Sequence, residues 1–121
     1  MSAKRVYIDY LQDIVDYAEK AMRFVQGVSY DDFADNEEKV FAVVKAIEIV
    51  GEAARNIPKS LRAKYPAVPW VQVTGMRNKV THEYFSVDLE VVWKTVKEDL
   101  PALRKTVRQM LDDISRQDVQ S

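Results

Sequence analysis

The sequence predicts an all-α bundle of about five helices, three of them long. Two positive observations lead there. Apolar residues recur at alternating intervals of three and four through most of the chain, which lines one face of a helix. Gly27, Pro58, Pro66 and Pro69 and the capping residues Ser29, Asn36 and Asp88 fall between those runs. A third observation is negative: no stretch alternates polar and apolar residues well enough to make a strand. At 121 residues the chain suits a single domain, 1–121. Its 47% hydrophobic and 31% charged residues describe a globular rather than a disordered composition.

The first helix runs from about Ala3 to Gln26. Ile8, Leu11, Val15, Ala18, Met22 and Val25 form its stripe, Tyr7, Ile14 and Ala21 widen it, and Gly27 stops it. The acidic stretch "SYDDFADNEE" follows. There Ser29 with Asp32 makes a capping arrangement, and Asp35 or Asn36 caps the next helix. That second long helix carries Val40, Val43, Ile47, Val50 and Ala54, and ends before Pro58, since the residue ahead of a proline disfavours the helical region. Pro58 opens a short helix near Lys59 to Lys64. Pro66 and Pro69 frame a connector, and Pro69 suits the first turn of a helix through Trp70, Val73, Met76 and Val80 to about Tyr84. Gly75 inside it costs about 1 kcal/mol against alanine, tolerated for a close backbone approach or simply borne. Asp88 caps the last long element, whose stripe is Leu89, Val92, Val96, Leu100, Leu103, Val107, Met110 and Ile114. Pro101 should kink that element or restart it near Asp99. There is no internal repeat and no low-complexity tract.

Composition narrows the chemistry. With no cysteine, disulfides and Cys-based metal sites are excluded, and with one histidine, His82, so is a His-rich metal site within one chain. No metal and no cofactor is expected. The N-terminal "MSAKRVYIDY" lacks the apolar core of a signal peptide, and no apolar run approaches membrane-spanning length. The expectation is a soluble cytoplasmic protein with no membrane partner. A chain of this size has little room for a deep internal pocket, which favours a site built between two copies.

Net charge is −1, but the charge is segregated. Between Ala53 and His82 stand Arg55, Lys59, Arg62, Lys64, Arg77 and Lys79 with no acid, leaving the acidic excess on the rest of the chain. Such a segment can steer a polyanion to one face of a near-neutral protein. Chance clustering on a solvated surface is the plainer alternative. Glu48 and Glu52, four residues apart on the second long helix, read as solvated surface or as ion-pair partners of a basic residue on another helix rather than a metal or acid/base pair. Trp70 and Trp93 read as core or interface anchors, with base stacking a minor alternative for Trp70.

The chemistry concentrates in "MRNKVTHEYF", Met76 to Phe85. On a helix, five residues turn the direction about 140° beyond a full turn, so Arg77 and His82 do not stack. Asn78 and His82, four apart, do, and Asn78 can orient the imidazole. RNA cleavage without metal needs a base for the 2′-hydroxyl, an acid for the 5′-oxygen, and positive charge on the phosphorane-like transition state. Histidine, with a pKa near ~6.5, serves as either acid or base, and arginine binds phosphate oxygens bidentately. One histidine per chain is too few for both roles; two chains with facing segments supply both. A basic residue or histidine at a helix C-terminus is equally an ordinary response to the helix dipole. The spacing alone leaves both readings open.

The wider context favours the first. The run "KAIEIVGEAARNIPKSLRAKYPAVPWVQVTGMRNKVTHEYFSVDLEVVWKTVKEDLPALRK", extended back through "FVQGVSYDDF", resembles the HepT-like family of HEPN-domain ribonucleases over nearly the whole chain. The matching pieces include "EIVGEAARNIP", "GMRN", "HEYF" and "EDLP". The resemblance implies an antiparallel HEPN-type bundle that dimerises, and a metal-independent endoribonuclease toxin whose site forms between protomers. Within the family motif, Arg77 takes the phosphate role, Asn78 is the polar residue after it, and His82 takes the acid/base role. Tyr84 is the residue that a MntA-like nucleotidyltransferase antitoxin would adenylylate. Arg55, Lys59, Arg62, Lys64 and Lys79 are weaker candidates for guiding the RNA backbone. The implied partners are RNA, a second copy and that antitoxin, with assembly beyond the dimer open to it. The competing reading is a non-catalytic helical subunit that regulates the nucleotidyltransferase or presents its substrate.

Overall fold

The computed structural model describes residues 3–81 and 88–120, with side chains described for 7–75 and 88–117. Every element within them is helical. Helix α1 (Ala3–Phe24) buries Leu11, Ile14, Val15, Ala18 and Ala21, and Gly27 ends it at φ 73, a left-handed conformation costly for any residue with a Cβ. Ser29 then caps a six-residue helix α2 (Tyr30–Asp35), its Oγ accepting the Asp32 N–H at 3.1 Å. The sequence marks this cap, but not the helix behind it. Phe33 of α2 is fully buried, 5.2 Å from the Trp93 ring, and Tyr30 meets the same indole edge-on at 5.8 Å.

Of the two capping candidates for α3 (Glu37–Arg55), Asn36 acts: its Oδ1 accepts the Lys39 N–H at 3.0 Å. Lys39 also donates from Nζ to the Phe24 carbonyl at 3.1 Å, joining the start of α3 to the end of α1, so these two helices run antiparallel. Val43, Ile47 and Val50 of α3 are wholly buried. The short α4 (Lys59–Arg62) stops two residues before the expected Lys64.

Helix α5 (Trp70–Thr81) packs its Trp70 and Val73 side against α3. Trp70 is 9% exposed and its indole N–H donates to the Tyr65 carbonyl at 3.0 Å, which fits the anchor reading and removes the ring from any stacking role. A Cβ built on Gly75 meets nothing within 4 Å, so no close backbone approach explains this glycine among the described residues.

The last run divides into α6 (Leu89–Lys94), a π-helical turn (Thr95–Asp99) and α7 (Leu100–Gln120). Asp88 caps α6 by accepting the Glu90 and Val91 N–H groups at 3.0 and 3.3 Å. The expected break at Pro101 takes the form of the π turn, in which the Leu100 N–H reaches back to the Thr95 carbonyl. In an unbroken α-helix the proline ring would press on the Lys97 carbonyl; a widened turn just ahead of it relieves the clash and keeps the axis going. Val96, Leu100, Leu103, Val107 and Met110 stay on the core side throughout.

The helices thus pack in the order α5 on α3, α3 on α1, and α1 on the π turn and α7. Arg104 and Arg108 of α7 reinforce the last seam through Glu19, Arg104 at 3.9 Å. The remaining seam, between α5 and the α6–π–α7 run, is a groove of about 570 Å³ rather than a packed contact. Among the described residues no helix is long and apolar enough to cross a membrane.

Candidate active site

Three features build the site region. The first is the cationic corner where α3 ends. Asn56 closes that end by donating from Nδ2 to the Glu52 carbonyl at 2.9 Å, and Pro58 stops the helix. The backbone then turns through α4, with Arg55, Lys59 and Lys64 exposed and Arg62 half-buried. None of these four forms an ion pair among the described residues, so their charge is available to a ligand. Ten residues of chain thereby present four cations at one end of the bundle.

The second feature is the pin that holds this corner. Tyr65 uses its whole polar complement: its N–H donates to the Arg62 carbonyl at 3.0 Å, its carbonyl accepts from Val68 N–H and the Trp70 indole, and its hydroxyl donates to Asp113 Oδ2 at 2.6 Å. Gln109 donates to the other Asp113 oxygen at 2.8 Å. Burial and the hydrogen bond to Asp113 push the Tyr65 phenol up to about 12. The hydrogen bonds from Tyr65 and then Gln109 hold the Asp113 carboxyl below its ordinary value. This pin ties α4, the start of α5 and α7 together. Local sequence gave no sign of it, because its partners lie 48 residues apart.

The third feature is α5 itself. Its backbone is helical through Arg77, Asn78 and Lys79 to Thr81. Seven residues advance a helix by almost two whole turns, so position 77 falls in register with Trp70 and about 40° from Val73. Gln72 and Gly75 lie on another side, which continues through position 79. Val73 also borders the groove, so the α5 wall of the groove reaches to within about 40° of the arginine position along the helix register. The side chains of Arg77, Asn78 and Lys79, and the whole of His82 and Tyr84, lie outside the described residues.

Glu48 pairs at 3.9 Å with Lys45 of its own helix, where the expected ion-pair partner is a basic residue of another helix, and Glu52 is exposed, in line with solvated surface. Among the described residues no group of three or more His, Cys, Asp or Glu side chains is arranged to hold a metal ion.

Comparison with known proteins then identifies the family. A sequence profile of the ribonuclease HepT-like family matches residues 14–110. A probable ribonuclease HepT from Thermococcus cleftensis is 44% identical over 84% of this chain and 92% of its own length. A putative RNase from Methanocaldococcus jannaschii is 37% identical over 98% of both chains, and one from Caldanaerobacter subterraneus is 39% identical over 84% of this chain and 91% of its own. No solved structure matches the chain. The chain belongs to the ribonuclease HepT-like family, as the sequence resemblance implies.

Proposed function

We propose that this protein is a metal-independent endoribonuclease toxin that works as a homodimer in the cytoplasm. The observation that carries this reading is the extent of the family match, whose residues 14–110 contain the whole Arg77–Asn78–His82–Tyr84 set. The exposed cations of α3 and α4 add physical support, since an RNA backbone needs an unpaired basic approach.

In this mechanism His82 of one protomer takes the proton from the ribose 2′-hydroxyl, and His82 of the second protomer gives a proton to the departing 5′-oxygen. Arg77 binds the phosphate oxygens as charge builds on them. Asn78 orients the imidazole. Arg55, Lys59, Arg62, Lys64 and Lys79 lead the RNA backbone to the cleft. Control comes from a MntA-like nucleotidyltransferase antitoxin, which also binds the toxin in a larger assembly. The Tyr84 hydroxyl attacks the α-phosphate of ATP, loses its proton, and releases pyrophosphate. The adenylate then places bulk and negative charge beside Arg77, which blocks RNA.

The test is cleavage of RNA in EDTA by wild type and by His82→Ala and Arg77→Ala variants that still dimerise. Cleavage by wild type alone is expected; equal cleavage by all three overturns the assignment. If unmodified wild type, its Tyr84 checked by mass spectrometry, cuts nothing, the non-catalytic regulatory subunit becomes the better reading.

A further inference from the structure

The packing of the described helices leaves the seam between α5 and the α6–π–α7 run open. We propose that it is the specificity pocket of the same nuclease, receiving one unpaired RNA base that carries an exocyclic amino group. The inference rests on the ribonuclease reading above.

The groove exists because small residues stand where packing would otherwise close it: Ala67, Gly75 and Ala102. At Gly75 no described atom outside the helix's own backbone lies within 4 Å of where a Cβ would stand. The volume of about 570 Å³ lies within the range of small-molecule sites and exceeds what a single base needs. Its walls are aliphatic, from Val68, Val73, Val91 and Leu103, and offer flat apolar surface to the faces of a base.

The rim decides which base. Glu98 and Asp99 of the π turn reach the groove, both exposed and neither in an ion pair or hydrogen bond among the described residues. Two carboxylates repel phosphate, so the group that belongs beside them is a neutral donor. Adenine, cytosine and guanine each offer an exocyclic amino group; uracil offers only its N3–H, flanked on both sides by carbonyl oxygens that the carboxylates disfavour. Lys94 and Gln72, on the same rim, supply donors for a flanking phosphate or a ring acceptor. The π turn has a direct part: by re-phasing the helix ahead of Pro101, it sets the direction in which Glu98 and Asp99 leave the axis.

Position is the further argument. The groove side of α5, Gln72 and Gly75, continues by helical register to position 79, in the midst of the family motif. A base seated there belongs to a nucleotide close to the one being cut.

The test uses the full-length His82→Ala protein, so that binding is read without cleavage, and two fluorescent single-stranded RNAs, one all uridine and one with a central run of adenosine or cytidine. The amino-bearing RNA should bind about tenfold tighter, the size of one well-made base contact. Glu98→Ala with Asp99→Ala raises affinity for any RNA by removing negative charge, so the readout is the ratio, which should fall to near one. Gly75→Leu, filling the groove from the other wall, should reduce the ratio with the melting temperature essentially kept. An equal affinity for both RNAs, or a preference that survives both variants, overturns the pocket. The outcomes separate the two readings. RNA cut by protein with intact His82 but with a ratio indifferent to the groove leaves the nuclease and removes the pocket. A groove-dependent ratio without any cleavage leaves the pocket and removes the nuclease.

Discussion

Replacing Tyr65 by phenylalanine deletes one oxygen and tests whether the cationic corner is pinned as the geometry indicates. The hydroxyl lies 2.6 Å from an Asp113 carboxylate oxygen, a short bond to a charged acceptor. The phenol rises from 10.0 to about 12, and a rise of that size corresponds to at most about 2.7 kcal/mol. Burial of the ring is the larger cause and the bond itself the second, and the site is partly open to solvent. The bond therefore contributes about 1 kcal/mol. For a chain of this length that loss lowers the melting temperature by about 4 °C. Urea denaturation followed by far-UV circular dichroism at pH 7 should show a lower midpoint with unchanged slope. In an Asp113→Asn background the same substitution should cost much less, because its partner's charge is already gone. The pH dependence has a fixed sign. The folded state holds the Tyr65 proton more tightly than the unfolded state, so this stability is whole below pH 10.0 and is lost as pH rises toward about 12. Asp113, held below its ordinary 3.8, contributes above that value and loses its contribution as pH falls beneath it. A Tyr65→Phe midpoint equal to wild type, or a cost undiminished by Asp113→Asn, would refute the pin.

Two other measurements probe the core, the caps and the basic approach. Ile47→Ala, at a wholly buried position on the helix between α1 and α5, should cost about 2–5 kcal/mol in urea denaturation, while Asp88→Ala, which strips α6 of the acceptor for two N–H groups, should cost about 1 kcal/mol; a reversed order would contradict this picture of the packing. Replacing Arg55, Lys59 and Lys64 together by alanine should weaken RNA binding without changing base preference. It should also flatten the plot of log affinity against log salt by about 0.7 per lost phosphate contact. An unchanged slope, measured by fluorescence anisotropy, takes these residues out of the RNA path.

Much of the fold was legible because the signals are local. Ser29, Asn36 and Asp88 cap helices with their own side chains, within three residues of the groups they satisfy. The apolar stripes of α1, α3 and α7 reach the core almost residue for residue, since a buried helix face needs only the right period. Helix α2 was not legible as a helix: six residues do not sustain one on propensity, and it stands because Phe33 is buried against Trp93. Pro101 announced a break, but whether the chain kinks, restarts or widens depends on what packs on either side. At the site, the identities of Arg77, Asn78, His82 and Tyr84 were legible, and family membership follows from the same residues and their neighbours. The sequence did not show that Trp70 and Val73 pack toward α3 while Gln72 and Gly75 face an open seam.

By itself the sequence determined an all-helical chain, the ends of most of its helices, the segregation of charge and the motif's chemical inventory. Each of these rests on interactions within a turn or two of backbone, or on the mere presence of a residue type. Only the tertiary structure decided that Tyr65 meets Asp113, that Trp70 is core rather than a stacking platform, and that α5 packs against α3 while leaving a groove beside α7. Those outcomes depend on how rigid helices with fixed faces fill space together, and side-chain volumes such as Gly75 and Ala102 settle that only once the partners are in place.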